Sequence, residues 1–176
     1  MTTLSYTMGE YSVQSSLDLF CKTSLGLELP SWFTWVYGTT PPRSLNFGYP
    51  EQPLNFPSFG VTHLGDVGED YFQGDRADGT YKGIRRAAMM EINCWESSKN
   101  NPAWSQHLRQ MSDMVHKLFR NNRTVDMYNF SNPSSPSKLT ALIRIERIRE
   151  VDTVPDPNPS VKRKRVLVTY SWIERF

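Results

Sequence analysis

From Tyr81 to Trp95 the chain reads YKGIRRAAMMEINCW, and its side chains alternate with the period of a strand. Ile84, Arg86, Ala88, Met90, Ile92 and Cys94 fall on one face; Arg85, Ala87, Met89, Glu91, Asn93 and Trp95 fall on the other. The first face is mostly apolar and the second mixed, as in a sheet that packs a core on one side. Shortly downstream the period changes. In NPAWSQHLRQMSDMVHKLF, Asn101 to Phe119, the residues Trp104, Leu108, Met111, Val115, Leu118 and Phe119 recur at spacings of three and four, a helical stripe. Asn101 suits the N-cap, Pro102 the first helical position, and Asn121 and Asn122 the stop. A long strand and an amphipathic helix must bury against each other, so the class expected is α+β.

Upstream, Phe59, Val61 and His63 alternate with Gly60, Thr62 and Leu64, which predicts a short strand ending at Gly65. Residues 65–80 are dense in turn formers and carry Asp66, Glu69, Asp70, Asp75 and Asp78, an acidic hairpin tip leading into the long strand. A first helix is predicted over Tyr11–Leu25 from Val13, Leu17, Phe20 and Leu25, with Gly26 at its end. Between them, residues 28–57 hold Pro30, Pro41, Pro42, Pro50, Pro53 and Pro57, which interrupt regular structure. The same stretch carries Trp32, Phe33, Trp35 and Tyr37, so it reads as an ordered excursion packed on the domain or on a partner. Downstream, Phe130–Lys138 is a Ser/Pro/Asn loop, and Ala141, Ile143 and Ile145 alternate with Leu142, Arg144 and Glu146 in a strand running to Val151. A proline connector, Asp152–Ser160, leads to a final strand over Arg165–Arg175 with Val166, Val168, Tyr170 and Trp172 on one face. Two consecutive strands joined this way should pair antiparallel. The expectation is a single α+β domain over residues 1–176: a mainly antiparallel sheet of four or more strands, the Trp104–Phe119 helix packed on one face, and an N-terminal helix.

At 176 residues, with 38% hydrophobic and 22% charged residues, the chain is neither mostly disordered nor built of membrane-spanning helices. Its first seven residues show no basic region followed by an apolar stretch, so no secretory signal is expected. Cys21 and Cys94 are too few and too far apart for a disulfide framework or a zinc site, and reduced, partly buried thiols are expected. The net charge of +2 hides a division: residues 1–80 hold three basic groups against nine acidic ones, residues 81–137 eight against four, and residues 138–176 nine against five. Such asymmetry fits nucleic-acid contact, complementary surfaces on identical neighbours, or solvated strand faces.

Chemical motifs are absent: there is no phosphate-cradling glycine loop, nucleophile elbow, paired-cysteine pattern or calcium loop. The acidic tip matches no calcium-loop spacing and reads as a solvated loop. His63 beside it reads as structural, and His107 and His116, nine residues apart on one helix, lie on opposite sides and do not share a metal. The run Lys162–Arg165 and the arginines Arg144, Arg147 and Arg149 form a basic C-terminal region suited to phosphate contact, or to guarding a strand edge. No catalytic, cofactor-binding or metal-ligating set is expected.

The order of elements is similar to that of tail terminator proteins of tailed bacteriophages, which with related neck proteins are small α+β ring-forming subunits. The resemblance covers Tyr11–Leu25 and Phe56–Phe176 and rests on element order and on the texture of Ile84–Trp95, Trp104–Phe119, Leu139–Val151 and Arg165–Arg175. It implies a structural, non-enzymatic virion protein assembled in the host cytoplasm. Its partners would be copies of itself in a ring, hexameric in the family, together with the tail tube protein, a neck or head-completion protein, and DNA passing through the pore without sequence-specific contact; no cofactor and no membrane are implied. Interface candidates are Asp66, Glu69, Asp70, Asp75 and Asp78 in the hairpin and Trp32, Phe33, Trp35 and Tyr37 in the excursion. The alternatives are another connector, sheath-associated or baseplate protein, a nucleic-acid-binding domain using the basic C-terminal strands, or a small hydrolase, which requires clustered His and carboxylates.

Overall fold

A computed structural model describes residues 10–25, 44–48, 55–72, 83–151 and 158–174. The elements are α1 (Glu10–Ser24), β1 (Ser44–Phe47), β2 (Ser58–Phe72), β3 (Gly83–Ser97), α2 (Trp104–Asn121), β4 (Thr124–Asn129), β5 (Ser137–Val151) and β6 (Val161–Glu174). The six strands form one sheet in the order β1-β2-β3-β6-β5-β4. The class is α+β, and the sheet is mixed: β1 runs parallel to β2, while every other neighbouring pair is antiparallel, including the closing β5–β6 unit.

Period-two alternation builds the core. Ala88, Met90, Ile92 and Cys94 of β3 and Val166, Val168, Tyr170 and Trp172 of β6 are buried. They join Val13, Leu17 and Cys21 of α1, the apolar stripe of α2, and Val125, Met127, Ile143 and Ile145 of β4 and β5 in one cluster. Phe20 of α1 meets Phe119 of α2 with ring centroids 5.6 Å apart. A buried polar contact also docks α1: where the β4 ladder shifts between Asp126 and Tyr128, the Tyr128 N–H donates to Ser16 Oγ at 2.9 Å.

Several expectations change. The strand placed at Phe59–Leu64 runs on to Phe72, because Gly65 is not its end. With φ at +86°, Gly65 supplies the backbone turn of an irregular stretch in which the register shifts between His63 and Asp66 and again between Asp66 and Gly68. Asp66, Glu69 and Asp70 therefore belong to the paired arm rather than the tip. A short strand, β1, interrupts the excursion, ending at Gly48, whose N–H donates to the Val61 carbonyl at 2.8 Å. β4 was not foreseen, since its six residues carry too little alternation to stand out from the turn around them. α2 starts at Trp104 instead of Pro102: Asn101 Oδ1 accepts from the Ala103 N–H at 2.9 Å and closes a turn ahead of the helix, leaving Ala103 as the cap. Asn122 ends α2 as expected, its N–H and its side-chain Nδ2 both donating to the Leu118 carbonyl. β6 lies between β3 and β5, so the run Lys162–Arg165 guards no sheet edge.

The mixed face of β3 is also buried at one end, with Trp95 at 1% exposure. Its ring lies against Gly60 so closely that a Cβ there would stand 2.3 Å from a ring carbon. Gly60→Ala should therefore lower stability by about 1–3 kcal/mol through overpacking, read as a lower urea midpoint with an unchanged m-value. Wild-type stability in this variant would show that the ring moves aside freely.

Candidate functional site

The expected interface residues divide in two. Asp66, Glu69 and Asp70 stand on β2 opposite Ala88, Arg86 and Arg85 of β3, so the register sets acidic positions beside basic ones. Asp75 and Asp78 lie outside the described residues, as do Trp32, Phe33, Trp35 and Tyr37.

The basic C-terminal region is resolved into two faces by the alternation of β6. Lys162 and Lys164 point toward α2: the Lys162 ammonium sits 5.6 Å from the Trp104 ring centroid, and Lys164 pairs with Glu150 at 2.8 Å. Glu150 also accepts from the Ser112 hydroxyl at 2.8 Å, tying α2 to β5 and β6. Burial alone would raise the Glu150 carboxyl, but the bonds from Lys164 and Ser112 outweigh it and hold the group below its ordinary range. Arg165, on the other face, pairs with Glu91 at 3.2 Å, and the Asn93 side chain donates to the same carboxylate at 2.7 Å.

The outer face of β5 and β6 is the most strongly charged described surface. A register shift between Ile145 and Arg147 sets Arg144 opposite Ser171, Arg147 opposite Thr169 and Arg149 opposite Leu167. These β6 residues alternate with the core residues Val168 and Tyr170, so all three arginines share the face turned away from the core. All three are exposed and form no ion pair among the described residues. Without the bulge, strict alternation would send Arg147 and Arg149 inward. The carboxylates on this face are already engaged: Glu146 accepts from Ser171 Oγ and Arg85 Nη2, both at 2.5 Å, and those two groups hold its carboxyl below the ordinary range.

Two of the histidines make contacts that join elements of the fold. His63 Nε2 lies 2.9 Å from Asp18 Oδ1 on α1, and the Tyr170 hydroxyl approaches Nδ1 at 3.4 Å. Asp18 and His63 resemble the orienting half of a catalytic triad, but the third group is a phenol on a fully buried Tyr170. His107 is fully buried and bonds through Nδ1 to Glu96 at the end of β3, beside Asn101. Burial would raise the Glu96 carboxyl; the bonds from His107, the Ser97 amide and Asn101 prevail and hold it below the usual value. Sequence reasoning set His107 aside, and a usable signal was present in the pairing of an acid and a histidine across a tight strand-to-helix turn. His116, opposite, lines a shallow cavity with Asp113, Lys117, Arg120, Asn121 and Glu150. Cys21 and Cys94 are fully rather than partly buried, and burial pushes both thiols far up. Among the described residues, no three His, Cys, Asp or Glu side chains gather as a metal site, and no helix is long and apolar enough to cross a membrane.

No family model and no curated protein matches this chain.

Three outcomes are expected. His107→Ala leaves the Glu96 charge buried and should cost about 3–5 kcal/mol in urea unfolding. Because the folded-state Glu96 carboxyl sits below its unfolded value, its contribution is complete above the usual carboxylate pKa and is lost as the pH falls through the folded one. Glu96→Gln should therefore flatten the acid limb of the stability profile; an unchanged limb would assign that limb to other carboxylates. Both thiols should resist a disulfide reagent until the protein unfolds, and reaction of either in the native state at the rate of a free thiol would contradict their burial.

Proposed function

We propose that this chain is a structural virion subunit of the tail terminator kind, one that closes into a ring, caps a tail tube and offers a platform to the neck of the particle. The observation that carries this reading is how the sheet order distributes charge. β1 and β2 form one flank and carry three acidic groups, Asp66, Glu69 and Asp70, with no Lys or Arg, while β5 and β4 form the other and carry Lys138, Arg144, Arg147 and Arg149 against Asp126, Glu146 and Glu150. A ring of identical subunits needs two different, complementary surfaces on each copy, and an acidic β2 flank facing a neighbour's β5 arginines is compatible with head-to-tail contact. In this reading α2 lies across one face of the sheet as a stiff support, the β2–β3 hairpin reaches a neighbour or the tube, and the aromatic excursion with Trp32, Phe33, Trp35 and Tyr37 adds apolar contact. The work is self-association and docking, which calls for no catalytic group or cofactor. Virion localisation, six-fold order and the tube and neck partners belong to the same proposal.

The test is the mass of the purified protein in solution over a wide concentration range, followed by electron microscopy of the largest species. Closed rings are expected, and a monomer at every concentration would overturn the reading. Charge reversal at Asp75 and Asp78 should weaken assembly while the monomer keeps its thermal midpoint; unimpaired assembly would remove the hairpin tip from the interface.

A further inference from the structure

We propose that the outer face of β5 and β6 binds the phosphate backbone of duplex DNA without reading its sequence. The proposal goes beyond the ring reading and does not depend on it, since the face is complete within one chain.

The geometry is a line of cations along one strand. Arg144, Arg147 and Arg149 stand opposite Ser171, Thr169 and Leu167, alternate residues of β6. Alternate strand positions are separated by about 7 Å, so the guanidinium groups are spaced along the strand instead of bunched at one point. The two strands hold this line in place, because the ladder runs through Arg144, Ile145, Arg147, Ile148 and Arg149. Two carboxylates neighbour the line and both are already engaged: Glu146 by Arg85 and Ser171, with Arg144 also acting on it through space, and Glu91 by Arg165 and Asn93. An excess of positive charge therefore remains on this face in the three exposed arginines.

Arginine in this arrangement suits phosphate oxygens, because its planar fork donates two parallel hydrogen bonds to them. Beneath the line Ser171 is buried and donates to Glu146, so the three arginines are the groups this stretch presents outward. A protein partner fits less well. Stable protein interfaces are centred on buried aromatic and apolar anchors with charge at the rim, and here the charge occupies the middle while exposed Leu142 and Ile173 lie toward the end beyond Arg144. Sequence reading is also not supported by this surface, since base edges are read by side chains projecting into a groove and a sheet face meets the backbone first.

The test measures fluorescence anisotropy of labelled 20-base-pair duplexes of two unrelated sequences against the full chain, with salt varied from 50 to 200 mM. Three neutralised phosphates predict a log–log salt slope of about −2.7, roughly a 40-fold loss of affinity over that range, equal for the two sequences. Arg144→Gln/Arg147→Gln/Arg149→Gln should flatten the slope to near zero, and each single variant should reduce it by about 0.9, which keeps the test valid if the triple variant fails to fold. Lys117→Gln/Arg120→Gln on α2 should leave the slope unchanged. The proposal is overturned if the wild-type chain shows no salt-dependent binding at 50 mM, if the triple variant keeps the wild-type slope, or if affinity follows the DNA sequence. It is also overturned if the arginine variants change the mass of the protein in solution while the wild-type chain ignores DNA. That last result would assign the line to contact between copies, and ring formation by a chain that ignores DNA would leave the terminator reading standing alone.

Discussion

The ladder between β3 and β6 is the constraint on which the rest of the molecule depends. It pairs fourteen consecutive positions, from Ile84 with Glu174 to Ser97 with Val161, with no shift in register. Side chains alternate with period two, so a slip of β6 by one residue would carry Val166 and Val168 out of the core and drive Arg165 and Leu167 toward it. Every other strand is placed relative to this axis, β2 and β1 on one side, β5 and β4 on the other. Register shifts occur in the β2–β3, β5–β6 and β4–β5 ladders. Irregularity is thus tolerated next to the axis and absent from it.

The helices are fixed to the sheet by apolar burial and by a few polar contacts that define where they sit. α1 is held through Ser16 to the Tyr128 amide and through Asp18 to His63. α2 is held at its start by His107 on Glu96 and at its middle by Ser112 on Glu150, which Lys164 also engages. Apolar packing alone tolerates sliding by small amounts, whereas a buried hydrogen bond is lost within an ångström of displacement and leaves an unsatisfied polar group. The polar clamps give the arrangement its specificity at modest net gain in stability.

Much of this was legible in the sequence wherever a long period was present. The alternation of β3, the stripe of α2 and the α1 helix follow from residue spacing, and their observed bounds agree closely with it; β6 was also read from its alternation, but it begins at Val161 instead of Arg165, because the charged run Lys162–Arg165 is itself paired with β3. β1 and β4 escaped because four or six residues between turn formers carry no countable period. β2 was cut short at Gly65 because a glycine in a bulge and a glycine at a strand end look alike in one dimension. The arginines Arg144, Arg147 and Arg149 were legible as a basic group suited to phosphate contact, although they break strict alternation in the sequence; the register shift after Ile145 is what brings them to one face. Likewise the run Lys162–Arg165 looks like a single patch as text, yet its members divide between opposite faces and bind Trp104, Glu150 and Glu91.

The central position of β6 has a consequence for how the chain is made. The β3–β6 pairs join residues 64 to 90 positions apart, so during synthesis β3, with its apolar face formed, waits for a partner that has not yet been translated. The intervening α2, β4 and β5 can form local contacts, but the sheet stays open along its middle until β6 enters between β3 and β5. Such non-local closure makes folding slow, and it leaves one edge of β3 open to other nascent chains in the meantime. For a protein made in many copies at once, the cell's chaperone capacity is then as much a determinant of yield as the stability of the finished fold.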